Sequence, residues 1–413
     1  MANRRIYEPL IFGRKMNYLI DINSWKRRAL VAYLYAIVSI MIFVLLGSRS
    51  IWLLSVMFLL PFCYNNITSL CLRFGKSNIV LLILAWCFMS SYWSNWAGLV
   101  RLETLFQCFI FFTALLISEI YSPNTIFRVL RDVALLCVVL VFISLILSPS
   151  SNLSSFVAIY HHKNTTGQFL GLCTIILLFS KDVLRFKKIF ILLSLSLLLL
   201  TNSTTSIIAF ILAISAGYLT ISITDSTRAW LHFTLSRVGY WALLFLFIQI
   251  YIFHIDILDF IYNNLSDEAI TGRGILWKTM LYHAEEKIVM GFGYASVWWH
   301  DDYSEIYFTD LARTNLNWVE KLSGSDGGFV DVVLSLGLIG LFMFITFLYT
   351  ILLNLLKMDD RNQRSILISL FCLITTFGIT ESIFLVPQNA FWFFLLLIFC
   401  MSIPIKNKNN YVC

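Results

Sequence analysis

The chain has 413 residues, of which 59% are hydrophobic and only 13% are charged, and its mean hydropathy is +0.82. A soluble domain usually carries about 25% charged residues, so this composition excludes a water-soluble enzyme, a disordered chain, a collagen and a disulfide scaffold. The net charge of +7 does not indicate nucleic-acid binding, because the basic residues follow the ends of apolar segments.

Apolar segments predict about twelve transmembrane helices. We expect helices because a bilayer offers an open backbone no hydrogen-bond partners. The first follows Lys26, Arg27 and Arg28 and has no small-residue cleavage site after it, which is typical of an uncleaved anchor. The predicted ranges are 29–47, 51–72, 78–93, 102–118, 129–148, 166–180, 189–201, 205–223, 238–255, 328–356, 365–386 and 389–405.

Lysine and arginine residues divide unevenly between the two sides of these helices. With a cytoplasmic N-terminus, 22 of the 30 basic residues lie on the cytoplasmic side, and the short outer loops hold three, Arg49, Arg101 and Lys163. Basic residues favour the cytoplasmic side, so both termini are predicted there. The resulting organisation is a cytoplasmic segment 1–28, helices one to nine over 29–255, an outer loop 256–327, helices ten to twelve over 328–405 and a cytoplasmic tail 406–413.

The outer loop 256–327 is long and acidic, with twelve of the 23 carboxylates. Loops of this length in compact proteins are usually functional. Within it, Trp277, Leu281, Ala284 and Ile288 recur at helical spacing and predict an amphipathic helix on the membrane surface or capping the bundle.

Two polar patches lie in short outer segments. Residues 91–96 precede Arg101, and either an aromatic belt with an interfacial arginine or a cation facing a cavity fits them. Residues 161–167 place Lys163 in a turn before the sixth helix, against the positive-inside tendency. A plain polar turn is the alternative there.

Two further patches belong to the long loop. Arg273 precedes the amphipathic helix, whose N-terminus favours an anion, and a guanidinium offers bidentate contacts to phosphate. A surface arginine paired with a loop acid is the alternative.

Asp326 or Ser325 is predicted to cap the tenth helix. A carboxylate at that position stays ionised and is a weak base unless burial raises its pKa.

These patches predict an outer-face site for an anionic lipid, most simply one that carries a diphosphate. The nine cysteines show no metal-ligand spacing, and the chain contains no P-loop, dinucleotide fingerprint or nucleophile elbow. We therefore expect no metal and no cofactor.

Five short motifs follow one another over roughly 90–405. They are Trp93-Ser94 with Arg101; His162-Lys163-Asn164 with Gly167; Asn202 to Ser206; Gly272-Arg273 with Trp277, Gly291 and Gly293; and Leu336 to Gly340. In this order they resemble the O-antigen ligase and polymerase-like superfamily, in particular its exopolysaccharide-polymerase branch. Two positions depart from the family pattern. Asp326-Gly327 stands where the family has His-Asn, and Thr204 stands where a basic residue often occurs.

The resemblance implies a metal-independent, inverting glycosyltransferase in the bacterial cytoplasmic (inner) membrane. Its donor would be an oligosaccharide on undecaprenyl diphosphate. Asp326 would take the acceptor proton, with His283 and His300 as other candidates for the base. Arg273 would stabilise the departing diphosphate. The further substrate-binding residues would be Arg101, His162, Lys163, Asn164, Ser203 and Trp277.

The segment 328–334 looks like the polymerase branch, so we expect the acceptor to be a second lipid-linked repeat unit. A ligase that transfers glycan to lipid A core is the alternative within the family. A flippase for lipid-linked oligosaccharide is the alternative from another class. The expected partners are the bilayer, a flippase and a chain-length regulator, with no nucleic acid.

Overall fold

The computed structural model describes residues 10–43, 50–147, 158–160, 162–180, 186–266, 273–298, 305–314, 316–320 and 322–404, and these contain helices and no strand. The predicted tail 406–413 and the residues His161, Gly272 and His300 lie outside this set.

The helices of the first half are α1 Leu10–Phe43, α2 Ser50–Leu59, α3 Ile67–Gly75, α4 Asn78–Met89, α5 Ala97–Ile120, α6 Pro123–Leu147, α7 Lys163–Phe179, α8 Lys187–Leu200 and α9 Thr204–Ser222. Those of the second half are α10 Asp225–Thr234, α11 Tyr240–Ile252, α12 His254–Asn264, α13 Gly274–His283, α14 Asp310–Thr314, α15 Leu316–Val319, α16 Gly328–Lys357, α17 Arg361–Thr380 and α18 Ala390–Ser402.

Each of the twelve predicted ranges overlaps at least one of these helices. Within the described residues, six helical segments are long and apolar enough to cross a membrane, and the bent pair Ile67–Gly75 with Asn78–Tyr92 makes a seventh if it forms one span. The chain is therefore a helical membrane protein. The six segments are Ala97–Ile120, Pro123–Leu147, Thr204–Ser222, Asp225–Ile252, Gly328–Lys357 and Arg361–Thr380.

The segment that contains α11 presents large apolar side chains to the surroundings. None of the α11 residues is buried, and the exposed fractions of Trp241 and Phe245 are 72% and 64%. A soluble monomer rarely exposes a continuous apolar surface of this kind. A lipid environment covers it without cost, which agrees with the membrane composition of the chain.

The predicted amphipathic helix of the long loop is shorter than the sequence pattern indicates. α13 ends at His283, and a 3₁₀ turn over Glu285–Lys287 carries the chain onward. Ala284 and Ile288 are still buried, so the predicted apolar face is confirmed although the helix does not extend along all of it.

α16 is broken at Gly337, where the sequence predicts one continuous helix over 328–356. Gly337 has φ 70° and ψ −172°, which is far from helical geometry. A break of this kind removes the i to i−4 hydrogen bonds that span it. In an apolar environment, each backbone group left without a partner costs several kcal/mol.

The freed groups find partners in the long loop and on α4. On the N-terminal side of the break, the carbonyls of Leu334 and Ser335 accept hydrogen bonds from the Phe292 and Gly293 amides, both at 2.9 Å. On its other side, the Leu338 and Ile339 amides donate to the Ile288 and Val289 carbonyls at 2.8 and 3.3 Å. The Trp86 indole donates to the Leu336 carbonyl at 3.0 Å.

Two glycines, Gly291 and Gly337, allow the backbone of the long loop to approach the backbone of α16 at the break. Gly291 has φ +75°, and a Cβ there would lie 2.6 Å from the amide nitrogen of Gly337. A Cβ on Gly337 would overlap the carbonyl of Val289. We name the residues 288–293 the docking segment, since they pair with the break through backbone hydrogen bonds.

Further hydrogen bonds join the docking segment, and Tyr294 directly after it, to the rest of the protein. The Trp93 indole donates to the Gly291 carbonyl at 3.1 Å, and Ser90 accepts from the Tyr294 amide at 2.9 Å. The Tyr294 hydroxyl donates to the Leu385 carbonyl and accepts from the Gln107 amide, both at 2.7 Å. This part of the long loop is therefore integrated into the bundle.

Replacing Gly337 by alanine tests this arrangement. We expect the free energy of unfolding to fall by at least about 1–3 kcal/mol from backbone strain alone, because a side chain at positive φ is strained and here also meets Val289. Thermal unfolding of the detergent-solubilised protein measures the loss. Gly75→Ala is the matched control, because no atom lies within 4 Å of a Cβ at Gly75. Equal stability of the two variants would contradict the role of the break.

Candidate functional site

Asn164 and Ser203 join the beginnings of two helices. Asn164 lies in the first turn of α7, and Ser203 is the N-cap residue of α9. The Ser203 hydroxyl donates to Asn164 Oδ1 at 3.0 Å. The Ser206 hydroxyl lies 2.9 Å from that of Ser203, and the absence of a side chain at Gly167 leaves space for it.

Glu381 brings the end of α17 to the same place. It follows Thr380, the last residue of α17, and its Oε1 accepts a hydrogen bond from Asn164 Nδ2 at 3.0 Å. The same oxygen lies 3.4 Å from Arg273 Nη2. Arg273 is the N-cap residue of α13, so the carboxylate links the bundle to the long loop.

Arg273 lies between two carboxylates. Besides Glu381, its Nε lies 3.6 Å from Asp326 Oδ2. The side chains of Arg273 and Glu381 are 12% and 19% exposed, whereas that of Asp326 is 52% exposed. The contact with Asp326 is longer than a hydrogen bond and half-exposed, so it is the weaker of the two ion pairs.

Asp326 does not cap the tenth helix, and this part of the sequence prediction is wrong. The N-cap residue of α16 is Gly327, with no side-chain cap hydrogen bond. Asp326 has φ +52°, and its carboxylate reaches Arg273 instead. Ser325 does not cap the helix either, since its hydroxyl donates to the Gly327 carbonyl at 2.9 Å.

Asn164, Ser203, Arg273, Asp326 and Glu381 form one group, which we name the Arg273 cluster. It collects the N-termini of α7, α9, α13 and α16 around one basic side chain. Helix N-termini carry partial positive charge and exposed amides. The arrangement is therefore able to hold an anion, although the two carboxylates compete for Arg273 in the resting protein.

The other predicted site residues lie around or outside this cluster. Trp277 borders it, because its indole donates to the Ser325 carbonyl at 2.8 Å. His162 and Lys163 are exposed at the start of α7, next to Asn164 in the chain. Arg101 is exposed, and its Nε donates to Ser91 Oγ at 3.3 Å rather than joining the cluster.

His283 lies too far from the Arg273 cluster to act as its general base. It lies at the other end of α13, ten residues from Arg273, which corresponds to about 15 Å along a helix. Its ring stacks on Phe292 and lies 3.4 Å from Glu305 Oε2.

Burial changes the acidity of Glu381. Loss of solvent is the largest effect and raises the pKa of this carboxyl to about 7. Arg273 acts in the opposite direction, Asp326 raises the pKa further, and the Asn164 hydrogen bond lowers it. Glu381 therefore exchanges its proton near neutral pH, which suits a general acid or base.

Glu381 is the functional candidate that sequence reasoning did not place in the site. The available signal is a lone carboxylate near the end of an otherwise apolar segment, and ionisable residues of that kind are usually functional. Its partners are 217 and 108 residues distant in the chain, so the sequence does not reveal them.

Neither the known protein-family models nor the curated proteins give a match to this chain. Within the described residues, no group of three or more His, Cys, Asp or Glu side chains is arranged to hold a metal ion.

Replacing Asn164 by alanine tests the electrostatics of the cluster without an activity assay. The Asn164 amide donates to the ionised carboxylate, so its removal is expected to raise the pKa of Glu381 above about 7. An infrared titration of the protonated carboxyl band measures the pKa, and Glu381→Gln identifies the band. Thr165→Ala is the neighbouring control. An unchanged or lowered pKa in the Asn164 variant would show that this hydrogen bond does not act on Glu381.

Proposed function

We propose that this protein is a polysaccharide polymerase that joins oligosaccharide repeat units carried on undecaprenyl diphosphate, at the outer face of the bacterial cytoplasmic membrane. Arg273 holds the diphosphate of the donor, and the growing glycan leaves this lipid for an acceptor hydroxyl. Lys163 and His162 lie at the exposed rim of the site, where they attract the anionic headgroup.

The observation that carries the proposal is the meeting of residues from separate sequence motifs. Asn164 contacts Ser203, and through Glu381 it reaches Arg273. In the same way, Trp93 donates to the Gly291 carbonyl. Residues that resemble one family in sequence are therefore neighbours in space, which is the arrangement a shared active site needs.

The chemistry of the cluster supports transfer from a diphosphate. Diphosphate is a good leaving group when its developing charge is stabilised, and preorganised donors supply much of the barrier reduction. A guanidinium at a helix N-terminus is suited to this task. The half-exposed Asp326 is the carboxylate that an incoming diphosphate displaces from Arg273, while the more buried Glu381 remains.

Glu381 is better suited than Asp326 to accept the acceptor proton. Both carboxylates lie near Arg273, but Glu381 is the more buried of the two, and the loss of solvent outweighs the effect of the arginine on its pKa. The pKa of Glu381 is raised to about 7, so a substantial fraction is ionised at neutral pH and its basicity is higher. We therefore assign the general base to Glu381 and a role at the leaving group to Asp326.

Arg273→Ala tests the role of the cation. We expect loss of polymer with normal accumulation of the protein, because the developing charge on diphosphate is no longer stabilised. Reconstitution with purified lipid-linked repeat unit, followed by gel analysis of the glycan, measures this. Arg313→Ala is the matched control, since Arg313 lies in the same loop and is 79% exposed. Polymer formation by the Arg273 variant would exclude this residue from the mechanism.

Replacement of the two carboxylates separately tests the assignment of the base. Glu381→Gln is expected to lower kcat by about 10²–10⁴-fold. In the wild type kcat should rise with pH through the range where Glu381 ionises, and this rise should be absent in the variant. Asp326→Asn should retain the acid limb of the pH profile, as should the exposed control Glu286→Gln. Loss of the limb in Asp326→Asn alone would return the base to Asp326.

The product of the reconstitution separates the alternatives. Chains of several repeat units on undecaprenyl diphosphate support a polymerase. Transfer that requires added lipid A core and stops after one addition would indicate a ligase. Movement of the intact donor across the vesicle membrane without a new glycosidic bond would indicate a flippase.

A further inference from the structure

A cavity of about 310 Å³ is lined in part by Ser382, the residue that follows Glu381 of the Arg273 cluster. Its walls come from α5, from the first turns of α16, from residues 294–298 and from residues 382–388. The donor chemistry proposed above does not use it. Its size falls in the range of small-molecule sites.

The charge of the cavity excludes the diphosphate as its occupant. Among the residues that the structure describes, two carboxylates line it, Glu103 and Asp331, and no lysine or arginine does. An anion would be repelled there and would lose its hydration without compensation. A neutral ligand rich in hydroxyl groups is suited to it, because carboxylates accept hydrogen bonds from hydroxyls.

Aromatic side chains also contribute to the wall. Trp298 and Tyr294 are almost fully buried and line the cavity. A pyranose ring has an apolar C–H face and a hydroxylated edge, so it matches a wall of this composition. Apolar walls with a few placed polar groups are typical of ligand sites.

The polar groups of the wall are held in fixed orientations. Asp331 Oδ1 accepts hydrogen bonds from the Trp298 indole at 3.1 Å and from the Ser325 amide at 3.0 Å. Tyr294 is fixed by the hydrogen bonds already described, to Leu385 and Gln107. Side chains locked in this way are preorganised for binding, which reduces the entropy cost of ordering them.

We propose that this cavity binds the sugar of the acceptor glycan, with Asp331 and Glu103 accepting hydrogen bonds from its hydroxyl groups. This inference rests on the proposed function, since it names the second substrate of the same site. Ser382 lines the cavity and directly follows Glu381, and consecutive Cα atoms are about 3.8 Å apart. This part of the cavity wall is therefore the one that lies next to the proposed base in the chain, and it is where we place the reacting hydroxyl group of the acceptor.

The transfer step then follows in a balanced form. Glu381 takes the proton from the acceptor hydroxyl while the oxygen of that hydroxyl attacks the anomeric carbon of the donor. The bond between that carbon and the diphosphate oxygen breaks, and undecaprenyl diphosphate leaves with the electron pair while Arg273 stabilises its charge. Attack from the cavity side, opposite the diphosphate, gives inversion.

Acceptor kinetics test the assignment. The probe is the repeat-unit oligosaccharide released from its lipid by mild acid, offered as acceptor to the full-length reconstituted protein with the lipid-linked donor. We expect Asp331→Asn to raise the acceptor KM at least tenfold and to change the donor KM less than twofold. Leu99→Trp adds bulk to the wall without altering charge, and we expect it to raise the acceptor KM in the same way. Asp310→Asn, with an 89% exposed side chain, is the control.

Direct binding of the same oligosaccharide, measured calorimetrically without donor, separates the two proposals. One outcome is that the wild type binds the oligosaccharide but forms no polymer, and that Asp331→Asn and Leu99→Trp both lose the binding. This outcome supports the cavity as a sugar site and overturns the proposal that the protein is a polymerase. If polymer forms and both variants keep the wild-type acceptor KM and oligosaccharide binding, the cavity is not the acceptor site, while the polymerase proposal stands. A wild type that neither binds nor transfers overturns both.

Discussion

The structure depends on the hydrogen bonding of one interrupted helix. α16 is apolar and runs through the bundle, yet its backbone departs from helical geometry at Gly337. Water is not available in a bilayer to satisfy the freed groups, so the protein itself must supply the partners. The docking segment and Trp86 supply five of them, and the break is stable for that reason.

The same hydrogen bonds determine where the candidate site forms. α13 ends at His283, shortly before the docking segment begins, so fixing that segment on α16 also fixes the helix that carries Arg273. Without this attachment, a polar loop beside a membrane would sample many positions relative to Glu381. The interrupted helix thus converts part of a long loop into a rigid support, which a site that stabilises charge requires.

The sequence predicts the chemistry of the site better than its assembly. Residue type and position indicate Arg273 and Asn164, and the family resemblance adds Ser203; the structure links the three through Glu381. The break at Gly337 was missed, because hydropathy averages over an apolar segment and one glycine hardly changes the average. The cap predicted at Asp326 is wrong because the chain turns there with φ +52° and Gly327 becomes the N-cap residue, and the sequence pattern does not reveal this turn.

The distribution of charge across the site fits a transfer between two chemically different substrates. On one side, Arg273 and several helix N-termini favour a leaving group that gains negative charge. On the other, Asp331 and Glu103 favour a neutral ligand with many hydroxyls and repel a second diphosphate. Glu381 contacts Arg273 and is followed in the chain by Ser382 of the cavity wall, and its raised pKa reflects both its burial and the neighbouring Asp326. A single uniformly basic pocket would attract the diphosphate of either substrate. In the proposed reaction, the separation of charge would give the donor and the acceptor different places.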